Sequence, residues 1–152
     1  MSKEISDKGL AFIKSWEKLR LTKYQDSGGK WTIGYGHLIQ PHEEFGPSIT
    51  EAIASDLLLT DLMEAEKAVN DLVSVPLSPC QFDALVSLTF NIGRGNLNTS
   101  LLLKLLNRGE YEKAADRFWK WNKDDKGVVP GLSKRRDMER KIFLTGIYEY
   151  TH

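Results

Sequence analysis

The residues best suited to do chemistry lie in one stretch, Glu17 to His37, EKLRLTKYQDSGGKWTIGYGH. Two carboxylates, Glu17 and Asp26, stand nine positions apart, and a hydroxyl, Thr32, follows six positions later. The adjacent Gly28 and Gly29 mark a turn between them. Trp31, Thr32, Ile33 and Tyr35 are strand formers. Gly34 and Gly36 interrupt that run, as expected where a backbone bends or a large group approaches closely. A helix end followed by a small hairpin brings three such groups round one cleft. Two carboxylates across a cleft are the minimum equipment for cleaving a glycosidic bond, one protonating the leaving oxygen and the other acting on the opposite face of the sugar. By spacing alone the plainer readings lead: Glu17 as an ion-paired helix end, Asp26 as a turn residue bonded to its own backbone, and Thr32 as an ordinary strand residue.

The elements that must position these groups follow from periodicity. Ser6 caps a first helix with Asp7 in its first turn. Leu10, Phe12, Ile13 and Trp16 form its apolar stripe, so the helix should run from about Asp7 to Lys18. That places Glu17 in the last turn, where the helix dipole opposes a carboxylate and something specific should hold it. Leu21 to about Phe45 is the one convincing β region, a small antiparallel sheet forming a cleft wall, with Pro41 and Pro47 bracketing a loop. Thr50 caps a long helix over 51–72, with Ile53, Leu57, Leu58, Leu62, Ala65, Val69 and Leu72 apolar. Its six acids against Lys67 alone make it partly solvated, a bridge between the sheet and the rest. After Ser78, an apolar core helix over 79–91 ends at Gly93 and Gly95. A helix from Leu101 stops near Gly109. Another runs from Tyr111 to Trp121 with Ala114, Ala115, Phe118 and Trp119 inward. Residues 122–131 read as a polar loop, and Ser133 starts a last helix over about 134–144. The class is α+β, mostly helical, with one small sheet.

A chain of 152 residues, 41% hydrophobic, buries one core and reads as one domain. Zero formal net charge argues against a nucleic-acid partner. The balance is uneven. Residues 1–100 carry 9 Lys/Arg against 13 Asp/Glu, and residues 101–152 carry 12 against 8. A basic C-terminal part suits an anionic polymer such as a cell wall, although a solvated helical surface is the plainer reading. The single cysteine, Cys80, permits no intrachain disulfide, which fits folding in a reducing compartment, and reads as a packed or partly exposed thiol. The N-terminus lacks the apolar core of a signal peptide, and no run approaches the length of a membrane span. No signal peptide, membrane anchor or stable membrane insertion is expected. His37 has no HxH or HExxH partner, and His42 and His152 are badly placed, so neither a metal nor another cofactor is expected.

The order Glu17, eight residues, Asp26, five residues, Thr32, then Ile33-Gly34-Tyr35-Gly36-His37 closely resembles phage-type lysozymes of the T-even and lambdoid kind, the endolysins of glycoside hydrolase family 24. The resemblance continues through Phe82-Asp83-Ala84-Leu85-Val86-Ser87, Phe90-Asn91-Ile92-Gly93, and Gly131-Leu132 followed by Arg135-Arg136 and Glu139. It covers the chain from about Ser6 to Tyr148. It implies a lysozyme-like fold and a single catalytic domain, 1–152. A β lobe (about 20–48) and a helical lobe (1–19 with 73–152) would be joined by the helix 50–72. It implies a muramidase that hydrolyses, with inversion, the β-1,4 bond between N-acetylmuramic acid and N-acetylglucosamine in peptidoglycan for host lysis. Glu17 would be the acid, Asp26 the group that orients or deprotonates water, and Thr32 a hydrogen-bond partner of that water.

Tyr35, His37, Ser87, Asn91 and Arg135 are the supporting or substrate-binding candidates. His37 is expected to pair with Asp61. Arg135 is expected to reach Glu17, with Arg136 and Lys134 pointing elsewhere and mattering less. Ser87 and Asn91 should look toward the cleft, contacting sugar amides or satisfying buried backbone. Trp119 and Trp121 read as core packing. The implied partner is the glycan strand, met by a monomer that waits in the host cytoplasm until a separate membrane-permeabilising protein, a holin, releases it. Two other readings are open. A lytic transglycosylase needs one acid only, against which Asp26 and Thr32 argue. An inactive wall-binding module or a membrane-active peptide carrier would rest on the basic C-terminal helix.

Overall fold

The structure, a computed structural model, describes residues 2–152. Ser6 accepts a hydrogen bond from the Gly9 N–H and opens α1 (Asp7–Trp16), which buries Phe12 and Ile13. The helix ends earlier than its apolar stripe predicts. Glu17 is extended (φ −90°, ψ 111°) while its N–H still bonds the Ile13 carbonyl, so it is the C-cap and not a last-turn residue.

Three strands follow, β1 (Arg20–Gln25), β2 (Trp31–Gly34) and β3 (His37–Leu38), in an antiparallel meander of that order. Tyr24 stands opposite Thr32, and Ile33 opposite His37. The sheet is shorter than the sequence suggests. Residues 39–50 form turns and loop, although Ile39 N–H still bonds the Trp31 carbonyl. Gly34 (φ +70°) lies where a Cβ would come within 3.3 Å of Ala54 Cβ, so glycine lets the sheet press on the next helix.

That helix, α2 (Glu51–Leu72), has the expected bounds, with Thr50 accepting from the Ile53 N–H. It buries Ala54, Leu58, Leu62, Ala65, Ala68 and Val69, one helical face. It packs on β2 and β3 and also on α3 (Pro79–Ile92), so it does bridge sheet and helices. α3 starts with a capping box between Ser78 and Gln81 and a proline at its first turn. Every residue from Phe82 to Thr89 is buried, which makes α3 the core helix. Buried Asp83 accepts from Ser6 N–H, Ser6 Oγ and Tyr148 Oη, fastening both ends of the chain to α3.

Beyond α3 the structure departs from the periodic reading. Gly93 (φ +90°) ends α3, yet a short helix, α4 (Arg94–Thr99), begins at once. α5 (Leu101–Asn107) is capped by Ser100. The expected helix Tyr111–Trp121 is broken into α6 (Tyr111–Ala115) and a 3-10 turn (Phe118–Trp121). The break buries Phe118 but leaves Trp119 46% exposed, contrary to its expected inward position. The supposed polar loop contains a two-stranded ribbon, β4 (Lys123–Asp124) with β5 (Gly127–Val128). The last helix, α7 (Pro130–Thr145), starts at Pro130, not near Lys134. Proline's fixed φ and missing N–H suit a first helical position. α7 packs along α3 and buries Arg135, Arg136, Met138, Glu139, Ile142 and Phe143.

Candidate active site

Glu17 leaves the end of α1 with its carboxylate against two other elements. Its Oε1 accepts from Arg135 Nη1 of α7 at 3.2 Å, as the sequence suggested. A Cβ on Gly36 would stand 3.3 Å from its Oε2, and Gly36 adopts φ +82°. Glycine thus lets the β2–β3 turn close over the carboxylate. Gly36 also lines a concavity of about 890 Å³ between the sheet and α2 on one side and the end of α3 on the other, with His37, Leu38, Thr89 and Phe90 among its walls.

Behind Glu17 lies a buried charge network that the sequence reading missed. Arg135 Nε is 3.4 Å from Glu139 Oε2, and Arg135 Nη2 donates to Ser87 Oγ at 3.4 Å. Ser87 Oγ in turn donates to Glu139 Oε2. Arg136 Nη2 donates to Glu139 Oε2 at 3.2 Å and to Asn91 Oδ1 at 2.9 Å. Arg136 Nε lies 2.8 Å from Glu139 Oε1 at an angle that makes an ion pair but no hydrogen bond. Arg136 and Glu139 are both 0% exposed, a setting in which charges survive only as partners. Burial pushes the Arg136 guanidinium down to about 10, with Glu139 opposing, so it stays cationic at neutral pH.

Two expectations are corrected here. Arg136 does point away from Glu17, but into the core and not to a surface where it would matter little. Ser87 is buried and bonds side chains of the network, neither sugar amides nor backbone. Asn91 is exposed and gives its Oδ1 to Arg136. The signal for the network was the spacing of Arg135, Arg136 and Glu139, i, i+1 and i+4, which gathers them on one side of a helix that also carries Met138 and Ile142.

Asp26 and Thr32 stand on the hairpin. Asp26 Oδ1 accepts from the N–H groups of Gly28 (2.9 Å) and Lys30 (2.8 Å), as a turn residue does. Its Oδ2 has no protein partner among the described residues. Thr32 is buried, and its Oγ1 donates to the Lys30 carbonyl at 3.0 Å. Thr32 faces Tyr24, and Asp26 is two residues along from Tyr24, so the strand alternation puts Asp26 and Thr32 on one face as diagonal neighbours.

Tyr35 and His37 tie the sheet to α2. Tyr35 Oη donates to Glu51 Oε2 at 2.8 Å, and burial, helped by Glu51, pushes Tyr35 up to about 12. His37 Nδ1 lies 2.8 Å from Asp61 Oδ2, the expected pair. Its Nε2 lies 2.8 Å from Glu43 Oε1, a partner not anticipated, which the Gln40 N–H also holds at 2.8 Å. Burial works to lower the His37 pKa, but hydrogen bonds and charge from Glu43 and Asp61 outweigh it and raise it. Asp61 is raised as well, because its own burial outweighs His37, whereas at Glu43 a burial cost is outweighed by the Gln40 N–H and His37, and its pKa is lowered. Two carboxylates therefore share one imidazolium, and Glu43, which also accepts from the Gln40 N–H, carries the fuller charge.

The sequence profile of the phage lysozyme family matches residues 14–139, from the last turn of α1 through Glu139. The chain belongs to the phage lysozyme family. It is 43% identical over 143 residues to an endolysin of Acyrthosiphon pisum secondary endosymbiont phage 1, covering 91% of this chain and 97% of that one. An endolysin from Escherichia coli O157:H7 phage FAHEc1 superposes with a TM-score of 0.90 at 37% identity, over 98% of both chains. The muramidase domain of SpmX from Asticaccaulis excentricus superposes at 0.84 with 39% identity, over 93% of this chain and 98% of that one. The lysozyme fold expected for this family member is thus the fold found. No helix among the described residues is long and apolar enough to cross a membrane.

Proposed function

We propose that this phage lysozyme is a muramidase whose reaction is run by Glu17, Asp26 and Thr32. It hydrolyses the β-1,4 bond between N-acetylmuramic acid and N-acetylglucosamine in peptidoglycan and so lyses the host cell. One observation carries the assignment of residues. Each carboxylate has one oxygen pinned by protein N–H donors, Glu17 Oε1 by Arg135 and Asp26 Oδ1 by Gly28 and Lys30, while the other oxygen has no donor among the described residues. A carboxyl fixed in this way keeps its orientation and presents one free oxygen for proton transfer.

Glu17 Oε2, covered by Gly36, carries the proton given to the leaving glycosidic oxygen. Asp26 Oδ2 takes a proton from a water as that water attacks the anomeric carbon from the opposite face. Thr32 has given its own proton to the Lys30 carbonyl, so its lone pairs accept from the same water and orient it. Water is the nucleophile, no glycosyl–enzyme bond forms, and the configuration inverts. Arg135 holds geometry. His37, Tyr35 and Asn91 support the walls.

The chain acts as one catalytic domain, with the β lobe (about 20–48) and the helical lobe (1–19 with 73–152) joined by 50–72. By family resemblance it works as a monomer held in the host cytoplasm until a separate holin opens the way to the wall. The test is to measure wall clearing by folded Glu17→Gln and Asp26→Asn proteins. Each is expected to lose about 10²–10⁴ in rate. Near-normal clearing by folded Glu17→Gln sinks the assignment.

A further inference from the structure

We propose that Glu139 is the positioning residue that lets Arg135 hold Glu17 without stripping it of its proton; this rests on the reading of Glu17 as the general acid. A cation in contact with a carboxyl favours the ionised form, which is the wrong form for a proton donor. Here two arginines stand side by side, Arg135 on Glu17 and Arg136 directly behind. Left alone they would place two positive charges at the acid's back. Glu139 stands on the far side of the same guanidinium. Arg135 Nη1 is 3.2 Å from Glu17 while Arg135 Nε is 3.4 Å from Glu139, so its charge acts on Glu17 across one planar group.

Glu139 is built for this and has no contact with the concavity. It is fully buried and accepts from Arg135, Arg136 and Ser87. No part of the proposed reaction needs it as an acid or base. A buried carboxylate between two arginines leaves the network at one net positive charge, enough to orient Glu17. The other groups facing it add little. Ser87 and Asn91 of α3 are uncharged, Gly36 covers Glu17 from the sheet side, and Lys134 is exposed. His152 stacks on Trp16 and meets Ser15, and its burial and the charges of Lys134 and Arg135 favour its neutral form.

The charge count dictates signed shifts in the pH dependence of kcat/KM on purified peptidoglycan. The alkaline limb reports loss of the proton from the general acid. Glu139→Gln adds a net positive charge and should move that limb down by roughly one pH unit, the size of a unit charge acting across one guanidinium in a half-buried site. Arg136→Met removes a positive charge and should move it up. The double variant Glu139→Gln/Arg136→Met restores the original count and should bring the limb back toward the wild-type position, and Glu139→Asp should hardly move it. A merely structural Glu139 would lower activity without this order of signs. Unmoved limbs in the variants, or shifts all in one direction, overturn the proposal. If Glu139→Gln fails to fold, Arg136→Met alone decides, since an unmoved limb there overturns it equally. Glu17→Gln run alongside separates the two readings. If it clears walls normally, the acid itself is misassigned; if it is dead while the limbs stay fixed, only the role of Glu139 falls.

Discussion

Replacing His37 by asparagine removes the one cation that two carboxylates share. The imidazole is nearly buried, with a side-chain exposure of 10%, and lies 2.8 Å from Asp61 and 2.8 Å from Glu43. A hydrogen bond to a charged group contributes about 1.5–3 kcal/mol. Asparagine keeps one donor, so the loss at pH 5.5 is about 2 kcal/mol. For a chain of this length roughly 2–4 °C follows each kcal/mol, which gives a fall of about 4–8 °C in Tm. The pH dependence has a fixed sign. The folded His37 pKa is raised, so its stabilisation is complete below the unfolded value, about 6.5, and is lost as pH rises through the folded one. Glu43 is lowered, so its share is present above its unfolded value and lost as pH falls through the folded one. Asp61 is raised, so its charge begins to disappear earlier on the acid side than in an ordinary aspartate. The contribution is therefore fullest below the unfolded histidine value, about 6.5, and above the raised Asp61 titration. By pH 8.5 the neutral ring donates to only one of the two carboxylates and turns a lone pair toward the other, and the gap between wild type and His37→Asn should shrink to below about 1 kcal/mol. Thermal unfolding by circular dichroism at both pH values is the assay. An unchanged Tm at pH 5.5, or an equal gap at the two values, refutes the reasoning.

Arg136→Met breaks a buried ion pair and should cost about 3 kcal/mol in denaturant titration; a change under about 0.5 kcal/mol, as at an exposed helix position, would show that the guanidinium is not buried. Gly36→Ala forces a side chain into φ +82° and sets a Cβ 3.3 Å from Glu17 Oε2, so clearing should drop about tenfold or more while the protein stays folded. Wild-type activity there would mean the β2–β3 turn does not shape the acid. Gly9→Ala would put a Cβ 2.5 Å from Asp83 Cγ and should lower Tm by about 5 °C or more; a silent substitution would deny the tight seat of α1 on α3. Early product followed by NMR should show the α anomer first, and an initial β anomer would contradict inversion.

Much of this architecture is legible in the sequence where local chemistry and periodicity agree. Thr50 and the apolar face from Ala54 to Val69 fix α2, and Ser78, Pro79 and Gln81 fix the start of α3. The hairpin around Gly28 and Gly29 follows from its turn residues. The legible part fades where one signal must be weighed against another. Pro130 reads as loop until its fitness for a first helical position is set beside Gly131. Tyr111 to Trp121 has a helical stripe, yet the chain leaves the α-helix at Asp116, and tertiary packing of Phe118 turns Trp119 outward. Charged residues are the harder case. Arg136 and Glu139 look like solvated helix positions because charges are seldom buried, and only three-dimensional pairing makes their burial affordable. Glu43 was hidden for a related reason, since a loop acid gives no periodic hint that it folds back on His37.

The most direct test is the product of purified peptidoglycan digestion, reduced with borohydride and identified by mass. Hydrolysis by Glu17 and Asp26 should release muropeptides whose reducing end is N-acetylmuramic acid, each having gained one water, and folded Glu17→Gln should release them about 10²–10⁴ times more slowly. Products ending in 1,6-anhydro-N-acetylmuramic acid would mean that no water is activated and that Asp26 and Thr32 have been misread. Reducing ends at N-acetylglucosamine would place the cleavage at the other glycosidic bond.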